Sequence, residues 1–342
     1  MTGERLFGKT LNELAAITAA ESLPSYTSRQ LAGWLYKRGA PEISAMTDIS
    51  LKARNLLGAR YETGLIPPAS ETASADGTKK YLFRLGDNRF IETAYIPDRE
   101  RATVCLSVQS GCRMGCRFCM TGRQGFQGNL ASGEILNQFR SLPEHASLTN
   151  IVYMGMGEPL DNLGEVLKSL EIITSEWGYG WSPTRVTVST VGITDRVREF
   201  LEGTKCHLAV SLHSPFDEER QALMPVQKAY PVREILDVIR AFDFGRQRRV
   251  SFEYIVFKGL NDTPAHIKEL ARILSGIRCR INLIRFHSIP GSEYSSPGLK
   301  EMEVFRDNLN DRGITATIRA SRGEDISAAC GLLSTIEQNK PL

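Results

Sequence analysis

The stretch VCLSVQSGCRMGCRFCMTG, residues 104–122, decides how this chain is read. Its opening VCLSV has the β-branched, apolar character of a buried strand, and the glycines that follow break any regular element. Cys112, Cys116 and Cys119 then come with three residues and two residues between them. Three thiolates at this spacing hold a four-iron cluster with one iron left open. An open iron can bind and reduce a small molecule, whereas a fully ligated cluster only passes electrons. Structural zinc also uses short-spaced cysteines, but it closes on four ligands arranged as two pairs. No second pair is present: Cys206, Cys279 and Cys330 stand singly, and none of the five histidines forms a His-x3-His pair. Buried thiols without a metal are the third option. Ligand number and spacing favour the cluster.

Outward from this strand, apolar runs alternate with helix-period segments. The runs are 104–108, IVYM (151–154), RVTVST (185–190), HLAVSL (207–212), VSFEYIVF (250–257) and INLIRF (281–286). Between the first two, Ser132 reads as a helix cap with Glu134 in the first turn and Ile135, Leu136, Phe139 and Leu142 on one face. Leu163, Val166, Leu167 and Leu170 repeat that pattern before the third run. Six such units imply an α/β fold of parallel strands with right-handed crossovers, wound as a partial (β/α)6 TIM-like barrel over residues 104–342. A doubly wound open sheet is the other solution.

The N-terminal part reads differently. Thr10 with Glu13 makes a capping box before Leu11, Leu14 and Ile17, and a second helix runs from Ser28 to Gly39. Residues 1–75 are expected to be a helical accessory domain. Asp76-Gly77 and Gly86-Asp87 turns between β-rich stretches predict a hairpin extension over residues 76–103 that leads into the barrel.

With 342 residues, 42% of them hydrophobic and 24% charged, the chain is long enough for a full core and has a soluble protein's composition. No apolar run approaches the roughly 18 residues that span a bilayer. MTGERLFGKTLNELAAI has no apolar core followed by a small-residue cleavage site, so a cytoplasmic location is expected. In that compartment seven cysteines are metal ligands, catalytic thiols or core residues rather than a disulfide framework. A net charge of +3 argues little for a nucleic-acid partner. Arg113, Arg117 and Arg123 form one local basic group and Arg246, Arg248 and Arg249 another, each readable as a solvated face.

Polar residues collect where the strands end. Gly157 and Glu158 in GMGEP, Ser189, Ser211 with His213, and His287 all fall at or past C-terminal strand ends, the edge where parallel α/β folds bind ligands. Beside a reactive cluster, this group suits the amino, carboxylate and ribose groups of S-adenosylmethionine. Each residue alone could equally end a strand or fill the core.

CRMGCRFC, MGMGEPLDN, VTVSTVG, SLHSPFDEERQALMP, NLIRFHSIPGSEY and TIRASRGEDISAACG together resemble the radical S-adenosylmethionine RNA methyltransferases of the RlmN and Cfr type, over nearly the whole chain. SRQLAGWLYKRGAPEISAMTDIS resembles that family's helical, RNA-binding accessory domain. The resemblance implies that Cys112, Cys116 and Cys119 hold a [4Fe–4S] cluster. Gly157, Glu158, Ser189, Ser211, Leu212, His213 and His287 would hold S-adenosylmethionine. At His287 the family pattern more commonly has asparagine; histidine also donates a hydrogen bond. The implied chemistry begins with methylation of Cys330. A 5′-deoxyadenosyl radical then takes hydrogen from that methyl group, and the carbon radical adds to an adenine ring carbon and joins protein to RNA. Cys105 would release the RNA by forming a disulfide with Cys330, with Glu92 as the base that removes the ring hydrogen. An electron-poor ring carbon without an acidic proton cannot be methylated by polar transfer, which is why a radical is needed.

The expected activity is methylation of C2 of an adenosine in 23S rRNA and in tRNA, by a monomer that takes electrons from a donor such as flavodoxin. Cfr-type C8 methylation shares these residues. A zinc-stabilised RNA-binding protein and an activase that makes a glycyl radical are the readings from other classes. The first leaves Cys105, Cys330 and GMGEP unexplained, and the second needs no thiol pair.

Overall fold

A computed structural model describes residues 3–246 and 248–326. Cys330 lies outside the described residues. Ten strands form one sheet whose spatial order follows the chain: β1 (Ser70–Ala73), β2 (Lys79–Arg84), β3 (Phe90–Asp98), β4 (Arg101–Cys105), β5 (Asn150–Tyr153), β6 (Val186–Thr190), β7 (His207–Ser211), β8 (Val250–Val256), β9 (Cys279–Arg285) and β10 (Ala316–Ile318). Strands β1 to β4 pair antiparallel as a meander, and β4 to β10 pair parallel. The parallel part therefore holds seven strands, one more than the six runs read from sequence. The extra strand ATI is too short to show periodicity, and only the free edge of β9 draws it into the ladder.

Helices fill the crossovers: α4 (Ser132–Arg140) after β4, α5 (Leu163–Thr174) after β5, α6 (Thr194–Gly203) after β6, α7 (Asp217–Leu223) and α8 (Val232–Ala241) after β7, α9 (Pro264–Leu274) after β8 and α10 (Leu299–Asn310) after β9. Strands covered by helices are apolar on both faces: Leu208, Ala209 and Val210 of β7 are consecutive and fully buried. The N-terminal helices are α1 (Leu11–Ala20), α2 (Thr27–Ala32, running on as a π-type turn through Gly33–Arg38) and α3 (Leu51–Gly58). The Thr10 box forms as read: Glu13 N–H donates to Thr10 Oγ1 at 3.2 Å and Thr10 N–H to Glu13 Oε2 at 2.8 Å.

The cap of α4 is different. Ala131 is the capping residue, and Glu134 Oε2 accepts its N–H at 3.0 Å. Ser132 is instead the first helical residue, and its hydroxyl donates to Gly8 O at 2.9 Å, tying the N-terminal segment to the sheet's first crossover. One apolar core runs without a break from Leu6 to Ala316. The arc of strands is bridged by the segment after β10. Arg322 pairs with Asp98 at 2.9 Å, Gly323 N–H donates to Asp76 at 2.8 Å, and Asp325 accepts the N–H of Ala75 at 3.0 Å. The chain thus crosses from the last strand back to the β1–β2 turn. Among the described residues no helix is long and apolar enough to cross a membrane.

Candidate active site

The C-terminal ends of the parallel strands and the strap after β10 enclose a cavity of about 470 Å3. Cys105, Glu92, Gly157, Glu158, Ser189, Ser211, His213 and His287 all line it, as do Cys112, Cys116 and Cys119. Leu212 does not: its side chain is fully buried in the core, and its N–H donates to Glu253 O at 3.0 Å.

The cysteine loop is built by local contacts. Cys112 N–H donates to Gly125 O at 3.2 Å, Cys119 N–H to Cys116 O at 3.1 Å, and Arg117 N–H to Leu223 O at 3.0 Å. Phe118, between two of the thiols, meets the His213 ring edge-on with centroids 4.8 Å apart. Burial pushes the Cys112 thiol up to about 12 and Cys116 further, and each is raised again by its neighbouring thiols. Three thiols on one cavity wall, with no disulfide among them, fit a [4Fe–4S] cluster, whose iron supplies the positive charge that buried thiolates need. Among the described residues no three His, Cys, Asp or Glu side chains close on a point as ligands of one ion would. A cubane does not require that, because its ligands sit on separate irons.

GMGEP is held by the chain itself. Gly157 has φ +95°, and a Cβ there would lie 2.5 Å from the Gln109 side chain. At Gly155 a Cβ would lie 2.7 Å from Leu106 O. The glycines therefore let this loop press on the segment after β4. Glu158 is buried, and its carboxylate accepts from Thr190 Oγ1 at 2.5 Å, Val191 N at 2.9 Å and Leu160 N at 3.0 Å. Burial raises it to about 7 against the pull of those hydrogen bonds. Three of its roughly four acceptor positions are used, leaving one for a ligand's amino group.

His213 is buried with φ +55°. Its Nδ1 accepts from Ile255 N–H at 3.0 Å, so the ring carries its proton on Nε2. Burial, with the Arg220 guanidinium beside it, depresses it to about 3, and it is a neutral donor at physiological pH. Burial also lowers His287. Glu92 on β3 is buried and paired with buried Lys80 at 3.1 Å, and Ser107 Oγ donates to its carbonyl.

Sequence reasoning missed four residues. Arg220 of α7 is fully buried and donates to Leu212 O at 3.1 Å, Ser211 O at 2.9 Å, Val191 O at 2.8 Å and Gln227 Oε1. It binds the ends of β6 and β7 together. Lys80, Glu253 and Arg319 also line the cavity. No local pattern marks any of them, since their partners sit mainly on other elements of the fold. The basic groups prove mixed. Arg248 is packed among Phe200, Phe242 and Phe244 and donates to Cys206 O and Leu201 O, a structural role. Arg123 is spent on Pro290 O and Arg117 O, and Arg113 pairs with Asp161 at 2.9 Å.

A strand-end cavity of this kind, entered by a CxxxCxxC loop, defines a radical S-adenosylmethionine enzyme, and the radical SAM superfamily model matches residues 106–273. A radical SAM methyltransferase from Sphaerobacter thermophilus superposes with a TM-score of 0.89 at 39% identity, covering 96% of this chain and 98% of that one. A Parabacteroides distasonis protein named probable dual-specificity RNA methyltransferase RlmN is 56% identical over 97% of this chain and 96% of its own length. The dual-specificity RNA methyltransferase RlmN of Syntrophus aciditrophicus is 43% identical over 95% and 94%. The chain belongs to the RlmN family of radical SAM RNA methyltransferases. It is an enzyme that uses a [4Fe–4S] cluster and S-adenosylmethionine, acts on RNA and draws on an electron donor.

Proposed function

We propose that this enzyme methylates C2 of an adenosine in both 23S rRNA and tRNA, through a methylated Cys330 and a transient RNA–protein link that Cys105 resolves. The observation that carries the reading is the convergence of Cys105, Glu92, the three loop cysteines and the strand-end polar residues on one cavity. The two substrates follow the dual specificity in the relatives' names. C2 is preferred over C8 because those relatives are RlmN proteins and none of them is named Cfr.

Cys112, Cys116 and Cys119 hold the cluster in this reading, with Gly157, Glu158, Ser189, Ser211, Leu212, His213 and His287 around S-adenosylmethionine. When bound, the two supply the methyl group and the one-electron chemistry that activates it. Glu158 offers its remaining acceptor position to the amino group, and His213 Nε2–H is a neutral donor. Leu212 contributes only main chain, since its side chain is in the core. Glu92 takes the ring hydrogen as a proton in a buried setting with Lys80 beside it. Residues 1–75 act as the RNA-gripping domain, 76–103 as the extension and 104–342 as the catalytic domain, in a cytoplasmic monomer served by a flavodoxin-like donor.

The deciding measurement is nucleoside mass analysis of rRNA and tRNA fragments after reaction with anaerobically reconstituted enzyme. The expected product is 2-methyladenosine in both. 8-Methyladenosine alone would move the assignment to the C8 reaction. Unmodified RNA, with no 14 Da addition (one CH2) on Cys330, would sink the mechanism.

A further inference from the structure

The short helical turn Met120–Gln124 follows the last loop cysteine and is laid against all three. Cys112 N–H donates to Gly125 O at 3.2 Å, and Arg123 N–H donates to Cys119 O at 3.2 Å. A Cβ at Gly122 would lie 3.1 Å from both the N and the O of Cys116, so the turn rests directly on that cysteine's main chain. Thr121 is the one buried residue of the turn, and it lines the cavity together with the three thiols. Its Oγ1 is buried and makes no hydrogen bond among the described residues. A helical threonine can give its hydroxyl to the carbonyl four residues back. Here that carbonyl, Arg117 O, accepts instead from Arg123 Nη2 at 3.1 Å, and Arg123 is anchored in turn by Nη1 on Pro290 O at 2.8 Å. Native folds rarely bury a hydroxyl with no partner, and such an atom on the wall of a cofactor site marks a contact that the cofactor completes. Among the described residues, the other unpartnered atoms on this wall are placed differently: Glu253 Oε2 has the Arg319 guanidinium at 3.5 Å, and Thr78 belongs to the β1–β2 turn.

We propose that the Thr121 hydroxyl donates a hydrogen bond to a sulfur of the [4Fe–4S] cluster and so raises its reduction potential. This rests on the reading of Cys112, Cys116 and Cys119 as the cluster's ligands. Electrostatics gives the sign. Reduction adds one electron, whose charge spreads over iron and sulfur, so a donor aimed at sulfur stabilises the reduced form more than the oxidised one. The electron comes from the enzyme's donor, and no bond forms or breaks in this step. The surroundings strengthen the contact. Besides the cysteines, the loop side chains on the cavity wall are Met114, Phe118, Met120 and Thr121, and of these Thr121 alone carries an O–H. A hydrogen bond in such an apolar, buried setting is stronger than one in water.

The test is a reductive titration of anaerobic holoenzyme, with the cluster followed by electron paramagnetic resonance, for wild type, T121V and T121S, each with and without S-adenosylmethionine. Valine keeps the branched shape and removes only the O–H. T121V is expected to show a reduced-to-oxidised ratio about tenfold lower at a fixed potential, a midpoint about 59 mV more negative. T121S, which restores the donor, should return to the wild-type midpoint. After exchange into D2O, the reduced cluster of wild type and T121S should show a coupling to an exchangeable deuteron that T121V lacks. A hydroxyl with a merely structural role would give no such coupling. If T121V does not retain its cluster, T121A carries the same comparison. An unchanged midpoint in the variant overturns the proposal. So does a shift seen only with S-adenosylmethionine bound, which would assign the hydroxyl to that molecule instead. Failure of the underlying reading looks different: single alanine variants of the three cysteines would then keep the brown chromophore, whatever Thr121 does.

Discussion

Replacing Arg220 with leucine tests how the site is assembled. The guanidinium is fully buried and ties three main-chain carbonyls, those of Val191, Ser211 and Leu212, to the Gln227 side chain. Burial lowers it only to about 10, so it remains a cation and its hydrogen bonds are charge-assisted. Leucine fills most of the volume and removes the cost of burying a charge, but it leaves those acceptors without donors. Hydrogen bonds to charged groups are worth about 1.5–3 kcal/mol each, and breaking a buried network of this kind costs about 4 kcal/mol net. For a chain of this length that corresponds to a thermal midpoint lower by roughly 5–6 °C. The three carbonyls belong to the ends of β6 and β7, which carry Ser189, Ser211 and His213, so affinity for S-adenosylmethionine should fall together with stability. The comparison is Leu309→Ala on α10, a fully buried site remote from the cavity that loses about 2–5 kcal/mol through its cavity alone. Thermal scans and equilibrium dialysis of S-adenosylmethionine, both on anaerobic holoenzyme, give the two readouts. Equal losses of cofactor affinity in R220L and L309A would refute the positioning role. A midpoint shift under 2 °C in R220L would refute the energetic argument.

Three further outcomes are expected. Gly157→Ala combines a φ of +95° with a Cβ 2.5 Å from Gln109, so the variant should lose bound S-adenosylmethionine while iron and sulfide content stays near wild type. His213, near 3 in the fold against an ordinary 6.5, leaves the unfolded chain binding more protons between those values. Its contribution is therefore complete above about pH 6.5 and is lost on acidification, by about 2 kcal/mol at pH 5. The slope of urea midpoint against pH should flatten in His213→Gln, and an unchanged slope would count against a buried neutral ring. Replacing Cys112, Cys116 or Cys119 singly with alanine should abolish the brown chromophore, whereas Cys206→Ala, at a buried site away from the cavity, should retain it.

Much of this was legible in the chain. The strand runs, the Thr10 box, the hairpin turns and the strand-end position of Glu158, Ser189, Ser211, His213 and His287 all follow from local periodicity and turn chemistry. Local signals failed where competition was tertiary. Ser132 has a cap's chemistry but spends its hydroxyl on Gly8, and the GMGEP glycines answer to Leu106 and Gln109.

By itself the sequence determined three thiolates at cluster spacing and a set of polar strand ends, while the two further thiols, Cys105 and Cys330, took their role only from the family resemblance. Spacing along a chain is enough for that, because ligand geometry over eight residues is local. Only the tertiary structure decided who faces whom. It set Lys80 against Glu92, paired Glu253 with Arg319 at the cavity wall, and buried Arg220 beneath the strand ends. Some of these pairings join neighbouring strands and others span the sheet, and a buried charge is stable only where the fold supplies its partners.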